Sequence, residues 1–266
     1  QTITLGSLAD ATGIATITGN GSGIDTVTVG AGFDNDLTIA LAKGNDVIKG
    51  SASAAALTVT AGTALNINAA DEIRGGTGSS DSIKITADND TSTGARLGAS
   101  VTGFETVTIV AATTNDAKLT TVDGNVTDTT GSLTVDASAL TSSLAAFVFV
   151  SSESTAENGV TINVTGGDGG NTLTLGTEKS NYTGGDLADT FKVATANLTS
   201  VDTLAGGDGT DVLQLTAAST IVDADFTNVT SLESITQATT NAAQTITLGS
   251  LADAAGVSTI TGNGSG

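Results

Sequence analysis

The stretch Gly206-Gly207-Asp208-Gly209-Thr210-Asp211-Val212-Leu213-Gln214-Leu215 decides the fold. Its first half is glycine-rich and its second half is apolar and β-branched. Gly206, Gly207 and Gly209 are free to adopt positive φ, so the backbone can turn tightly and present its carbonyls on one side. Asp208 and Asp211 add carboxylates to the same turn. Val212, Leu213 and Leu215 then read as a short strand. A tight, oxygen-lined turn followed by a short strand is the unit of a calcium-binding parallel coil.

Two further copies surround the idea with a spacing. Gly166-Gly167-Asp168-Gly169-Gly170-Asn171-Thr172-Leu173 and Gly184-Gly185-Asp186-Leu187-Ala188-Asp189-Thr190-Phe191 start 18 residues apart, and Gly206 follows Gly184 by 22. Regular spacing of this size stacks the three turns on one edge, the last coil carrying a bulge of four residues. These residues resemble the RTX nonapeptide, Gly-Gly-x-Gly-x-Asp-x-apolar-x, of secreted bacterial proteins. The resemblance implies an all-β, right-handed parallel β-solenoid of the β-roll or β-helix kind, with Ca2+ between successive turns. It places Asp189 and Asp211 at the motif aspartate and Asn171 at that position in the first copy. Asn171 brings no charge, so its coil is expected to bind more weakly. Asp168, Asp186 and Asp208 fall at the third position, where the backbone carbonyl is the usual ligand, and carbonyls of Gly166, Gly184 and Gly206 would complete the cages.

The composition fits a thin coil. The 266 residues include 34 glycines and no Pro, Cys, Met, His or Trp. Aromatics make up 3%, too few for an ordinary globular core, while Ala, Val, Leu and Ile supply most of the 38% hydrophobic content. Eight basic residues face 28 acidic ones, a net charge of −20. That excludes a general nucleic-acid binder and argues against docking on anionic lipid. Self-repulsion of this size weakens a compact metal-free state, and divalent cations would relieve it. Without cysteine there are no disulfides, which leaves metal as the substitute staple. The longest apolar runs are a few residues, so no membrane insertion is expected.

The chain repeats itself at long range. Residues 1–23 and 244–266 match except at Thr12/Ala255, Ile14/Val257 and Ala15/Ser258, a period of 243 residues. Together with the absence of methionine and of a leader, this predicts a piece of a tandem array of about 243-residue repeats. A shorter similarity links Val101-Thr102-Gly103-Phe104-Glu105 with Val229-Thr230-Ser231-Leu232-Glu233. Each follows a glycine turn, at Gly75 and Gly206 respectively. The combination resembles the calcium-dependent S-layer and large surface proteins of Gram-negative bacteria. Glu105 and Glu233 read as polar corner residues of a coil in preference to catalytic acids.

Four segments follow: a first solenoid module over 1–110, a less regular strand segment over 111–165, an RTX-like module over 166–243, and the start of the next repeat over 244–266. In the first module Asp25, Asp36 and Asp46 are looser candidates for calcium. Their spacing puts Asp25 and Asp46 on one edge and Asp36 on the other. The turn at Gly75-Gly76-Thr77-Gly78 carries one extra residue before Asp81, which sets it apart from the closer copies. In the second segment Leu140, Leu144 and Phe147 at i, i+4, i+7 permit a short amphipathic helix. Ser53-Ala54-Ala55-Ala56 permits a helical turn. Phe147-Val148-Phe149-Val150 reads as a central strand held by packing.

An enzyme is disfavoured, since no His or Cys exists for acid–base or nucleophilic work. Arg74 and Arg96 are the only arginines and Tyr182 the only tyrosine, a poor endowment for a polysaccharide site. The expected function is an extracellular, cell-surface structural repeat that self-assembles with copies of itself into a layer, sheath or filament. Cell-surface polysaccharide is a further candidate partner. The stalk of a giant RTX adhesin is the alternative, and a β-helical polysaccharide lyase or hydrolase the second. A β-sandwich array is the alternative fold, which would require hairpins and larger core aromatics.

Overall fold

A computed structural model describes residues 1–50, 53–126, 131–153, 160–194, 197–238 and 244–262. The chain winds as a β-solenoid of about ten turns, with strands stacked in parallel. Among the described residues three large sheets form the walls. A five-stranded sheet runs from Thr2–Leu5 to Val101–Thr102, and a ten-stranded sheet from Thr16–Thr18 to Val229–Thr230. An eight-stranded sheet runs from Ala95–Arg96 to Thr259–Thr261, and a two-stranded one pairs Ser219–Ile221 with Gln244–Ile246. The ten-stranded sheet passes without a break through residues 110/111 and 165/166.

Period-2 alternation builds these walls. Strand after strand shows buried and half-buried residues in turn, as in Leu37–Leu41 and Ala117–Val122. Stacking in register converts each inward position into a column. Ile39, Val59, Ile83, Val107, Val135, Val164, Tyr182 and Leu204 form one such column in the ten-stranded sheet, all buried. Leu119, Phe149, Leu173, Phe191, Leu213 and Ile235 form the facing one. Outward positions carry threonine and asparagine, which bond along the stack: Asn181 Nδ2 donates to Asn163 Oδ1 at 2.9 Å. Thr-x-Thr pairs are thus the solvent side of strands. Parallel pairing throughout the stack rules out the sandwich.

The aromatic side chains gather in the middle of the stack. Phe149 meets Tyr182 edge-on, with centroids 5.6 Å apart, and Phe147 lies 6.4 Å from Phe149. Phe147–Ser152 is a central strand, with Phe147 and Phe149 fully buried.

Two helical expectations fail. Residues 140–146 form turns, closed by Leu140 N–H to Ala137 C=O and Ala145 N–H to Ser142 C=O, both 2.9 Å. Leu140 is buried and Leu144 is 76% exposed, so the three apolar residues never share a face. Ser53-Ala54-Ala55-Ala56 is extended or bent, with Ser53 Oγ bonded to Phe33 C=O at 2.8 Å. The helices lie elsewhere, in the repeated peptide: α1 at Ser7–Ala11 and α2 at Ser250–Ala255.

Because each column residue packs against the coils on both sides, truncation leaves a void the stack cannot close. Phe149→Ala is expected to cost about 3–5 kcal/mol in urea unfolding. Outward Thr134→Ala is expected to cost less than about 1 kcal/mol.

Candidate metal-binding turns

The motif residues occupy one column. Asn171, Asp189, Asp211 and Glu233 each precede a strand, and those strands pair Thr172 with Thr190, Thr190 with Val212 and Val212 with Ser234. The four side chains therefore stand one above another on successive coils. Their bonds run along the stack. Asn171 N–H donates to Asp189 Oδ1 at 2.6 Å, Asp189 N–H to Asp211 Oδ1 at 2.7 Å, and Asp211 N–H to Glu233 Oε2 at 2.7 Å.

Parallel pairing explains why. A residue in a parallel pair bonds to the two neighbours of its partner, one through its C=O and one through its N–H. Asp189 C=O accepts from Val212 N–H at 2.9 Å, as the ladder requires. Its N–H would need the carbonyl of Thr210, which has already left the ladder for the turn. The Asp211 carboxylate takes the place of that carbonyl.

Glycine is required mainly for space. A Cβ on Gly184 would lie 2.0 Å from Asp189 Oδ2 and 2.3 Å from Gly206 O. One on Gly206 would lie 1.7 Å from Ser231 O and 2.2 Å from Asp211 Oδ2. Carboxylate and carbonyl oxygens crowd the position where a side chain would start. Only Gly207 and Gly209 of the three copies hold positive φ, +103° and +128°. Gly166 and Gly184 were glycine for want of room.

The other predicted residues separate into distinct places. Asp186 and Asp208 are exposed and Asp168 is half-buried, all outside the column. Their backbones still hold the turns, as Asp208 N–H donates to Gly185 C=O at 3.0 Å. Asp25 and Asp46 share an edge, with Asp25 N–H on Asp46 Oδ1 at 3.0 Å. Both Asp25 oxygens are taken, by the Gln1 amino group at 3.1 Å and Asn20 N–H at 3.3 Å. Asp36 lies on the other sheet and is exposed.

Several members escaped the sequence reading. Asp71 is the next rung below Asp46, accepting its N–H at 2.8 Å. Asp81 accepts Leu57 N–H at 2.7 Å and its own turn's Gly76 N–H at 2.6 Å, despite the inserted residue. Asp81 N–H then donates to Glu105 Oε2 at 2.7 Å. Glu105 and Glu233 are corner residues, each receiving the N–H of the preceding coil's aspartate. The available signal was position: an acid immediately before a strand, one coil after another acid.

Burial makes the column electrostatically costly. Desolvation pushes the Asp189 carboxyl up to about 6; hydrogen bonds from Asn171 and the nearby Gly185 N–H offset part of this, and the Asp211 charge adds to it. Asp211 is raised by burial first and then by Glu233. Burial also raises Asp46, Asp71 and Glu105. Among the described residues, the Oδ2 atoms of Asp46, Asp189 and Asp211 are buried with no hydrogen-bond partner.

Asn171 shows what those oxygens lack. Its Nδ2 donates to Gly167 O at 2.9 Å, Gly169 O at 2.8 Å and Asp189 Oδ1 at 2.9 Å. An amide supplies the positive group that holds three oxygens together in that turn. An aspartate has no such donor, so the Asp189 and Asp211 turns require a proton or a cation from outside. Their donors are all hard oxygens, carboxylate and carbonyl, the type that suits Ca2+. The Asn171 turn does not fit a cation, because its amide already occupies the carbonyls. No group of three or more acidic side chains gathers at one point among the described residues. Each turn brings one carboxylate and leaves the rest to backbone. No family model, curated protein or solved structure matches the chain.

Two predictions follow from this geometry. The Asp189 carboxyl titrates near 3.8 unfolded and about 6 folded, so the folded state holds the extra proton between those values. In chelator, stability is therefore fully present below 3.8 and is lost as pH rises through 6, by on the order of 3 kcal/mol. Melting from pH 4 to 7.5 should show this fall, and Asp189→Asn should flatten it and raise stability at pH 7.5. Gly206→Ala should cost about 1–3 kcal/mol or more through overpacking. Gly6→Ala, with nothing within 4 Å of the new Cβ, should be close to neutral.

Proposed function

We propose that the chain is a calcium-stiffened structural repeat, a rod segment that assembles with copies of itself on a bacterial cell surface as a layer, sheath or filament. The observation that carries this is the buried acidic column, with Asp189 Oδ2 and Asp211 Oδ2 unpartnered in glycine-lined turns. A solenoid with no room for a side chain at these turns and no histidine or cysteine is built for stiffness and extension. Asp189 and Asp211, with carbonyls of their own turns, would hold the ion. When bound, Ca2+ supplies positive charge between coils and cancels repulsion along the column. The rest is the work of the chain: Asn171 N–H and Asp189 N–H fix each carboxylate, and the glycines admit it. A net charge of −20 makes the metal-free rod self-repelling and the loaded rod more cohesive.

The test is calcium titration of the melting transition. At a hundredfold excess over Kd each ion should add about 2.7 kcal/mol. Asp189→Asn and Asp211→Asn should each remove most of that gain, and Asp36→Asn none of it. A melting curve unmoved by calcium or by EGTA would overturn the calcium reading.

A further inference from the structure

The last described coil is the first coil over again, in sequence and in form. Residues 1–19 fold as strand Thr2–Leu5, helix Ser7–Ala11 and strand Thr16–Thr18. Residues 244–262 fold as strand Gln244–Ile246, helix Ser250–Ala255 and strand Thr259–Thr261. What differs is the covering.

The C-terminal copy rests on the coil before it. Gln244, Thr245 and Ile246 pair in register with Ser219, Thr220 and Ile221, and Thr259–Thr261 with Ser234–Thr236. Asp223 lies between those strands and receives the start of the helix. Its Oδ1 accepts N–H from Gly249 at 2.8 Å, Ala252 at 2.9 Å and Leu251 at 3.1 Å. Ala252 and Ala255 are each 1% exposed against it.

The N-terminal copy has the same face open. Thr2–Leu5 and Thr16–Thr18 are the edge strands of their sheets among the described residues. Leu8 is 85% exposed where its twin Leu251 is 37%. The core itself opens at this end through an apolar mouth lined by Ile3, Ile17, Val27, Ile39, Leu41 and Ile48. An open apolar end and two unpaired parallel edges require a partner. The molecule contains the surface that covers this very peptide.

We infer that the surface made by Ser219–Ile221, Asp223 and Ser234–Gln237 is a docking site for the 1–19 coil of a second copy, and that residues 244–262 hold it in cis. This rests on the self-assembly reading and gives it a joint. The strand residues on both sides of the joint are identical, and Ala9 repeats the buried Ala252. Thr12 for Ala255 is the one change at a buried position, and its hydroxyl already bonds to Ala9 O at 2.7 Å. The joint also passes each sheet onward. Thr259–Thr261 pairs in the eight-stranded sheet, while its twin Thr16–Thr18 begins the ten-stranded one. The eight-stranded wall of one copy therefore becomes the ten-stranded wall of the next, and the rod is unbroken.

The tethered segment competes at millimolar effective concentration, so micromolar second copies lose by up to about 1000-fold. Displacing it should release the joint. In the full chain, Ala252→Arg with Ala255→Arg ejects the helix from its buried seat. The chain has no cysteine, so introduced thiols report cleanly through a short thiol crosslinker in 0.15 M salt. Thr220→Cys with Thr245→Cys should close within one chain. Thr220→Cys with Thr2→Cys should yield little product in the otherwise unaltered chain. In the double-arginine chain its intermolecular ladder should rise by about tenfold or more, and Ala9→Arg should abolish it.

No rise in a double-arginine chain with unchanged circular dichroism, or a ladder indifferent to Ala9→Arg, overturns the joint. Should the double-arginine chain misfold, Asp223→Ala, which removes only the helix cap, is the replacement and must give the same rise. Running each arm in calcium and in EGTA keeps the readings apart: a melting curve indifferent to calcium counts against the metal alone, and a missing ladder against the joint alone.

Discussion

A parallel coil that turns sharply leaves one backbone N–H per turn without its carbonyl, and the carboxylate answering that N–H organises this molecule. Asp189 N–H has lost Thr210 C=O to the glycine turn and finds Asp211 Oδ1. The same substitution recurs at Asp25, Asp46, Asp81 and Asp211, each donating to the acid of the following coil. A buried N–H left unmade costs about 1–3 kcal/mol, so a solenoid of many coils cannot neglect it. Charged acceptors make the shortest and strongest of such bonds. The acidity of the chain is thus tied in part to its winding, since every coil needs an acceptor at the corner where its strand begins.

That solution carries its own cost. Acceptors stacked coil upon coil are like charges held close together, and the close packing that brings them to the N–H also removes water. The rise of Asp189 to about 6 measures both effects, burial foremost and Asp211 second. Asn171 shows the uncharged alternative: one oxygen accepts Gly167 N–H at 3.2 Å and the amide nitrogen knits the turn's carbonyls together. A column built entirely that way would be insensitive to pH and to ions. Keeping Asp at 189 and 211 leaves the stack dependent on something external that is positive, which turns a structural bond into a responsive one.

Much of this was legible in the sequence. Glycine-aspartate turns at intervals of 18 and 22 predicted the parallel coil, and the register of Thr172, Thr190 and Val212 realises it. The pairing of Asp25 with Asp46 on one edge followed from spacing alone. The ladder did not, because it depends on two coils being in register and on a carbonyl that is absent. Glu233 and Asp71 looked like ordinary polar residues for the same reason. Helix α1 was missed because five residues give too little periodicity to detect, and Asp10 secures it through the backbone of Asp34 and Asn35 on the next coil. The helix expected at 140–147 failed because i, i+4, i+7 spacing also arises when a turn residue, an exposed loop residue and a strand residue follow one another.

The walls of the solenoid are relayed along its length, which bears on how a 243-residue period can build a continuous rod. The five-stranded sheet ends at Val101–Thr102 just as the eight-stranded sheet begins at Ala95–Arg96. The ten-stranded sheet ends at Val229–Thr230 after the two-stranded sheet has begun at Ser219–Ile221. At each handover a new face opens before an old one closes, so the interior columns are never uncovered. By residue 244 the two walls still running are the ones onto which the repeated peptide lays its strands. The cross-section at that point accepts the same strand–helix–strand coil that starts the chain, and this is the geometric condition for a period to close on itself. A repeat whose walls ended together would need a polar cap at each junction; staggered walls let one coil serve as the end of one period and the beginning of another.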